Sequence, residues 1–169
     1  MTPSLFTLDL GCGRNKHNPS IGIDIDLGSA ADIICDLNHF PYPLRKSSFG
    51  RVISKQVLEH LDNLEDVLAE IHRVCQDKSK VIIEVPHFSC YLSYADPAHK
   101  RAFSVFAFDK IAPEKGFKVL VRKITFHRAF RRYLIQKLAN RFPRGYERFW
   151  AFIFPAEHLH FELEVIKNP

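Results

Sequence analysis

The sequence predicts an α/β fold, built as a Rossmann-like, doubly wound and mostly parallel sheet. In the first half of the chain, short and almost wholly apolar strand signals alternate with a helical signal, which is typical of strands buried on both faces. The first strand signal runs directly into a turn that contains Gly11 and Gly13. Ligands of open α/β sheets bind where such strands end, so we expect the functional site at this turn.

Five strand signals and one helix signal lie in the first half. Apolar residues at helical spacing predict a helix over 64–75, with Asp62 or Asn63 as its N-cap. Only about ten residues separate the first two strands, which is the lower limit for a parallel crossover, so we expect a truncated first crossover. The predicted strands cover residues 5–10, 21–25, 31–36, 50–56 and 81–85.

The second half of the chain has a different pattern. Helices are predicted over residues 104–111 and 128–141, and a strand over 117–126. The clearest strand of the chain covers 158–165, where polar and apolar residues alternate strictly. Its half-polar face predicts that this strand is antiparallel and lies near an edge of the sheet.

Charge divides the chain of 169 residues into two parts. Residues 1–85 carry 9 Lys or Arg and 12 Asp or Glu, whereas residues 86–169 carry 15 and 7, together with 12 of the 15 Phe. This length predicts one domain over 1–169, with a front half (1–86) and a basic, aromatic back half (87–169). No apolar run could span a bilayer and no signal-peptide pattern is present, so we expect a cytoplasmic protein without a membrane partner.

Three acidic residues follow three successive strand signals: Asp9, Asp24 and Asp36. Parallel strands bring such positions to one edge of the sheet, where an ionised carboxylate can accept hydrogen bonds from both ribose hydroxyls. Acids are also common at strand ends for structural reasons, but three of them behind a Gly-x-Gly turn favour a ligand with a ribose and an adenine. A dinucleotide is disfavoured, because its fingerprint needs a third glycine where this chain has Lys16.

Four short motifs stand in order along the front half: Leu-Asp-Leu-Gly-Cys-Gly at 8–13, Gly-Ile-Asp-Ile at 22–25, Cys-Asp-Leu at 35–37 and Val-Leu-Glu-His-Leu at 57–61. Together they resemble class I S-adenosylmethionine-dependent methyltransferases of the type often labelled family 11. The back half, with Asp-Pro-Ala-His-Lys-Arg at 96–101, is similar to a small branch of that group. The resemblance implies a seven-strand sheet with an antiparallel last strand, methyl transfer as the activity, and S-adenosylmethionine as the cofactor.

The resemblance also implies ten cofactor-binding residues at the carboxyl edge of the sheet. The glycine turn, braced by an acid, would face the methionine part of the cofactor. The acid after the second strand would bind the ribose, the acid after the third would hold the adenine, and the residues after the fourth would line the methionine and substrate side. The ten are Asp9, Gly11, Cys12, Gly13, Asp24, Ile25, Asp36, Leu37, Lys55 and Gln56.

No fixed catalytic residue follows from these motifs, because methyl transfer from a sulfonium depends mainly on holding donor and acceptor in place. A general base is needed only where the acceptor must first lose a proton. Candidates are His60, His87 and His99, although His60 also fits a helix-start residue and His99 an exposed loop pair. We expect no metal, since these histidines have no known zinc spacing and the four cysteines include no Cys-x-x-Cys pair.

The sequence does not identify the methyl acceptor, and we expect a small molecule rather than nucleic acid. The basic back half could instead follow a phosphate backbone, which keeps a nucleic-acid-binding or nucleic-acid-modifying protein as an alternative. A cofactor-binding interaction protein without turnover is another, because the first motif has Asn15 where a third glycine is usual. The apolar run 149–154 indicates a candidate homodimer or lid surface.

Overall fold

The computed structural model describes residues 6–128 and 134–167. Its strands are β1 (Phe6–Leu10), β2 (Ile21–Asp24), β3 (Ile33–Ile34), β4 (Phe49–Lys55), β5 (Cys75–Pro86), β6 (Phe117–Ile124) and β7 (His158–Val165). They form one sheet in the order β3-β2-β1-β4-β5-β7-β6. The first five strands are parallel, and β7 is antiparallel to both β5 and β6. The predicted Rossmann-like sheet, with its antiparallel last strand, is confirmed.

The helices of the described residues are α1 (Leu64–Val74), α2 (Leu92–Ala95), α3 (Phe108–Glu114), α4 (Ile135–Arg141) and α5 (Pro143–Gly145), followed by a π-helical turn over Tyr146–Trp150. Asn63 caps α1, because its side-chain oxygen accepts the backbone N–H groups of Glu65 at 3.0 Å and Asp66 at 3.4 Å. One face of α1 is wholly buried in the core. Of the two predicted caps, Asn63 is therefore the one used.

No helix connects β1 to β2, in agreement with the short predicted crossover. Side chains hold the connecting loop instead. Asp9 Oδ2 accepts the backbone N–H of His17 at 2.8 Å, and Lys16 Nζ lies 2.8 Å from Asp32 Oδ1. Asp32 Oδ2 also accepts the N–H of Gly22 at 2.7 Å. These bonds tie the loop to β2 and take the place of helix packing.

The predicted strand over 31–36 is only two residues long in the structure, and the helix predicted over 104–111 begins at Phe108. The helix starts late because Glu147 binds the residues before it. Its carboxylate accepts Ser104 Oγ–H and the Val105 N–H, both at 2.6 Å, which holds these two residues outside the helix. Of the helix predicted over 128–141, residues 129–133 lie outside the described ranges.

The central strands form the core of the sheet. Leu8 on β1, Val52 on β4, Val81 on β5 and Leu163 on β7 have no exposed surface, so the carboxyl ends of β1 and β4 are held by tight packing. Strands from the front and back halves belong to this one sheet. Within the described ranges, no helix is long and apolar enough to cross a membrane.

Candidate functional site

A cavity of about 260 Å³ lies at the carboxyl ends of β1, β2 and β4. The loops that follow these strands and β3 form its walls, at the edge where open α/β sheets bind ligands. Six of the ten predicted cofactor residues line it: Gly11, Asp24, Ile25, Asp36, Leu37 and Gln56. The other lining residues are Asn38, Val57, His60 and Leu61.

Four predicted cofactor residues do not line this cavity. Asp9 is buried and braces the loop after β1, and Gly13 donates its backbone N–H to Asp24. Burial, followed by the charges of Asp9 and Asp24, raises the pKa of the Cys12 thiol, which keeps it neutral and unreactive. Lys55 is exposed at the end of β4. These residues support the cavity or flank it.

Asp24 joins the glycine turn to the end of β2. Its Oδ2 accepts the backbone N–H of Gly13 at 2.8 Å, and its Oδ1 accepts that of Asp26 at 2.9 Å. A carboxylate oxygen can accept more than one hydrogen bond, so Asp24 can still accept from a hydroxyl in the cavity. The two backbone bonds fix the orientation of the carboxylate before any ligand binds.

Asp36 is fixed in a similar way after β3. Its Oδ1 accepts the backbone N–H of Asn38 at 2.9 Å, and its Oδ2 lies 2.8 Å from His39 Nδ1. The Asn38 N–H, with a further contribution from His39, lowers the pKa of the Asp36 carboxyl, so the group is ionised near neutral pH. Asn38 Oδ1 in turn accepts the N–H of Asp62 at 2.7 Å, which joins the loops after β3 and β4.

Gly11 and Gln56 both have left-handed backbone conformations at the cavity wall, with φ values of +63° and +55°. A Cβ on Gly11 would lie 2.3 Å from Val57 Cγ2, so a larger residue would displace the wall. Gln56 Nε2 is buried and has no hydrogen-bond partner among the described residues. Strained backbone at a non-glycine residue and an unpaired buried amide are both typical of ligand-binding positions.

Sequence reasoning missed three lining residues, Asn38, Val57 and Leu61. Val57 and Leu61 belong to the motif at 57–61, but as apolar residues they fit the core equally well. Asn38 directly follows the Cys-Asp-Leu motif. An Asn two positions beyond an acid at a strand end is a turn signal, which could have placed it at the same edge.

Two of the three predicted catalytic histidines lie together. The ring centroids of His60 and His99 are 4.6 Å apart, and Glu59 lies beside them. Glu59 is 1% exposed, and neither of its carboxylate oxygens has a hydrogen-bond partner among the described residues. Burial raises the pKa of Glu59 to about 7. Glu59 was not predicted as a site residue, because nothing in the local sequence indicates burial beside two histidines.

His87, the third candidate base, is not open to an acceptor, because its side chain is completely buried. Its Nδ1 accepts the backbone N–H of Ser89 at 3.0 Å and lies 2.8 Å from Ser89 Oγ. Its Nε2 lies 3.2 Å from Glu147 Oε1. With Nδ1 as an acceptor, Nε2 carries the proton that is donated to Glu147. Both nitrogens therefore serve the fold, and a role for His87 as a base stays a prediction without support from its position.

Residues 8–83 match the family model of the methyltransferase domain. The sequence has no significant match among curated proteins. The four motifs that suggested class I methyltransferases all lie inside the matched residues or at their start, so that resemblance is confirmed.

Solved structures of similar fold cover nearly the whole chain. A SAM dependent methyltransferase from Archaeoglobus fulgidus aligns with a TM-score of 0.70 and 19% identity, over 95% of this chain and 86% of that one. An S-adenosylmethionine dependent methyltransferase from Mesorhizobium loti aligns with a TM-score of 0.66 and 14% identity, over 95% of this chain and 90% of that one. Phosphoethanolamine N-methyltransferase 2 from Haemonchus contortus, solved with S-adenosyl-L-methionine, aligns with a TM-score of 0.66 and 14% identity, over 99% of this chain but only 50% of that one. At these identities the likeness establishes the fold.

Proposed function

We propose that this chain, with a methyltransferase domain match over residues 8–83 and a class I fold, transfers methyl groups from S-adenosylmethionine. The observation that carries the proposal is the cavity at the carboxyl edge of the sheet. It is bounded by a left-handed glycine, two preoriented carboxylates and a buried amide without a partner in the described ranges, which belong to Gly11, Asp24, Asp36 and Gln56. This combination suits a ligand that carries hydroxyls and amines at one end.

The residues that line the cavity fit this cofactor. Asp24 would accept the ribose hydroxyls through its remaining lone pairs. Asp36, held ionised by the Asn38 N–H, would accept from the exocyclic amine of the adenine, beside the buried Leu37. The unpaired Nε2 of Gln56 would donate to an oxygen of the methionine part. When bound, S-adenosylmethionine supplies a methyl group on a sulfonium, which a nucleophile can displace in line.

The protein's own contribution to such a displacement is mainly positioning and exclusion of water. Val57 and Leu61 give the cavity an apolar wall, and His60 lines the same cavity beside them. His60 and His99 are the only predicted bases near this wall in the described ranges. The catalytic role of either histidine depends on an acceptor that must lose a proton.

A small-molecule acceptor fits the back half better than nucleic acid does. Part of the basic surface is already used within the fold, since Arg122 Nη1 lies 2.7 Å from Asp109 Oδ1. The guanidinium groups of Arg122 and Arg144 also lie 5.9 and 5.8 Å from the ring centroid of Phe106. Salt-dependent binding of RNA would favour the nucleic-acid alternative instead.

The expected homodimer surface stays part of the proposal. Phe149, Trp150, Phe152 and Ile153 are all more than half exposed, so this apolar run is available to a second copy. A larger apolar cavity of about 430 Å³ lies beside it, between α4 and the π-helical turn. Among the described residues that line it, none is charged, and it belongs to this surface rather than to the cofactor cavity.

Titration calorimetry with S-adenosylhomocysteine tests the proposal. We expect micromolar binding by the wild-type protein. Asp24→Ala should weaken it by about 2 kcal/mol or more, which is roughly 30-fold, because hydrogen bonds to a charged group are lost. If wild-type protein does not bind S-adenosylhomocysteine at millimolar ligand concentration, the assignment of the cofactor is overturned.

Asp32→Ala is the matched control for Asp24→Ala. Asp32 also accepts a backbone N–H, that of Gly22 in β2, but it is not among the residues that line the cavity. If both variants lose affinity equally, Asp24 acts by bracing the loop and not by binding the ribose. Binding of the cofactor without turnover on any acceptor would favour the interaction-protein alternative.

A further inference from the structure

We propose that Glu59, His60 and His99 form a binding site for a divalent transition-metal ion at the acceptor side of the cavity. The spacing of histidines and cysteines in the sequence predicts no metal. The structure brings these three residues together because the loop that carries His99 folds back onto the residues after β4.

The Glu59 carboxylate carries the inference. The side chain is 1% exposed, and both oxygens are buried without a hydrogen-bond partner in the described parts of the chain. Buried carboxylates are normally paired, because an unpaired buried charge is strongly unfavourable. A bound cation would supply the missing partner for both oxygens at once.

The donor atoms are close enough to share an ion. One atom from each of the three residues lies within 4.8 Å of the other two. Ligands at about 2.0–2.2 Å from a common ion lie roughly 3–3.5 Å apart, so the donor atoms need to draw together by up to about 1.5 Å. Two imidazoles and one carboxylate suit zinc, cobalt, manganese or iron(II), whereas magnesium and calcium prefer oxygen ligands.

Several hydrogen bonds hold the loop that carries His99 against the segment after β4 that carries Glu59 and His60. The backbone N–H of Lys100, next to His99, donates to the Glu59 carbonyl at 2.8 Å. The Arg101 guanidinium donates to the Leu61 carbonyl at 2.7 Å. His99 Nδ1 lies 3.4 Å from the Ser93 carbonyl, which favours a proton on Nδ1 and leaves Nε2 as the free ligand.

Asp96 is a further charged group at the cluster, and its Oδ2 lies 4.0 Å from His99 Nε2. It could approach as a fourth ligand or accept hydrogen bonds from water on the ion. The ring nitrogens of His60 have no hydrogen-bond partner within the described ranges, and His60 lines the cofactor cavity. The ion would therefore lie where an acceptor approaches the transferred methyl group, a placement that rests on the proposed function.

Metal titration of the chelator-stripped protein tests this site without any cofactor. We expect one equivalent of Zn²⁺ or Co²⁺ to bind with a Kd of about 10 μM or below, and Co²⁺ to show visible d–d absorption typical of low coordination. Glu59→Gln and His99→Gln should each weaken binding by at least about 100-fold and remove the absorption. His160→Gln removes a different histidine, 3.4 Å from the Glu162 carboxylate, and should leave both readouts unchanged.

Wild-type protein that fails to bind either ion, or binding that survives both Glu59→Gln and His99→Gln, would overturn the site. Because calorimetry with S-adenosylhomocysteine is measured separately, the two proposals can fail independently. Metal binding without cofactor binding would remove the proposed function and leave the ion site. If Glu59→Gln does not fold, the more exposed His60→Gln gives the same decision.

Discussion

Glu147 and Glu59 are two largely buried glutamates of the same chain with opposite surroundings. Glu147 accepts hydrogen bonds from His87, Ser104 and the Val105 N–H, whereas Glu59 accepts none from the described residues through its side chain. Burial alone would raise the pKa of Glu147, but these hydrogen bonds outweigh it and the pKa is lowered. For Glu59, burial dominates and raises the pKa to about 7.

The difference separates a structural carboxylate from one that is available for a ligand. The partners of Glu147 come from two segments, His87 directly after β5 and the adjacent Ser104 and Val105, so it joins the π-helical turn to the loops after β5. Glu59 is surrounded by groups that can bind an ion but do not bind the carboxylate itself. A buried carboxylate in this fold therefore indicates a binding site only where it lacks hydrogen-bond partners among the described residues, as Glu59 does.

The largest expected effect is at Glu147. Glu147→Ala should lower the free energy of unfolding by about 3–5 kcal/mol, because the buried His87 side chain and the buried Val105 N–H lose their acceptor, and Ser104 loses one as well. Urea unfolding followed by circular dichroism measures this. A loss below about 1 kcal/mol would mean that Glu147 does not hold these segments together, and would remove the contrast with Glu59.

In metal-free protein at high pH, replacing Glu59 should raise the stability of the fold, whereas replacing Glu147 should lower it. Its folded pKa of about 7 lies above the ordinary value of 4.5, so wild-type stability should fall as pH rises from about 4.5 to 7, by the order of 3 kcal/mol. His99 and Asp96 are the charged neighbours that modify this shift. Glu59→Gln should lack the fall, so at pH 8 it should be more stable than wild type in the presence of a chelator.

Unfolding curves at pH 5 and pH 8, with and without Zn²⁺, test that expectation. The most decisive result would be that Glu59→Gln is more stable than wild type without metal, and that Zn²⁺ does not raise its free energy of unfolding further. If Glu59→Gln is instead destabilised at both pH values, Glu59 has a structural partner and resembles Glu147.

The smallest effect is expected at Asn63, the cap of α1, which begins just beyond the Glu59–His60 pair. Asn63→Ala should cost about 1 kcal/mol of stability through the two unpaired N–H groups, with metal and cofactor affinity unchanged. Thermal melts and the two titrations measure these quantities. A loss of metal affinity in this variant would show that the start of α1 positions the ion site.

Much of the proposed cofactor site at the carboxyl edge of the sheet could be predicted, because short local runs of sequence specify it. The strand that ends at Leu10, the left-handed Gly11 and the acid Asp24 are signalled by short runs of residues, and parallel pairing brings strand ends to one edge. The late start of α3 could not be predicted, because Glu147 lies far along the chain from the residues it binds.

The sequence by itself determined the succession of seven strands along the chain, the short first crossover and six lining residues of the cavity, since each depends on residue type and near neighbours. Only the tertiary structure decided which histidines lie together. His87 is buried against Glu147, whereas His99 is brought to Glu59 by the bond from Lys100 to the Glu59 carbonyl. Such pairings depend on how distant loops pack, which neither periodicity nor spacing encodes.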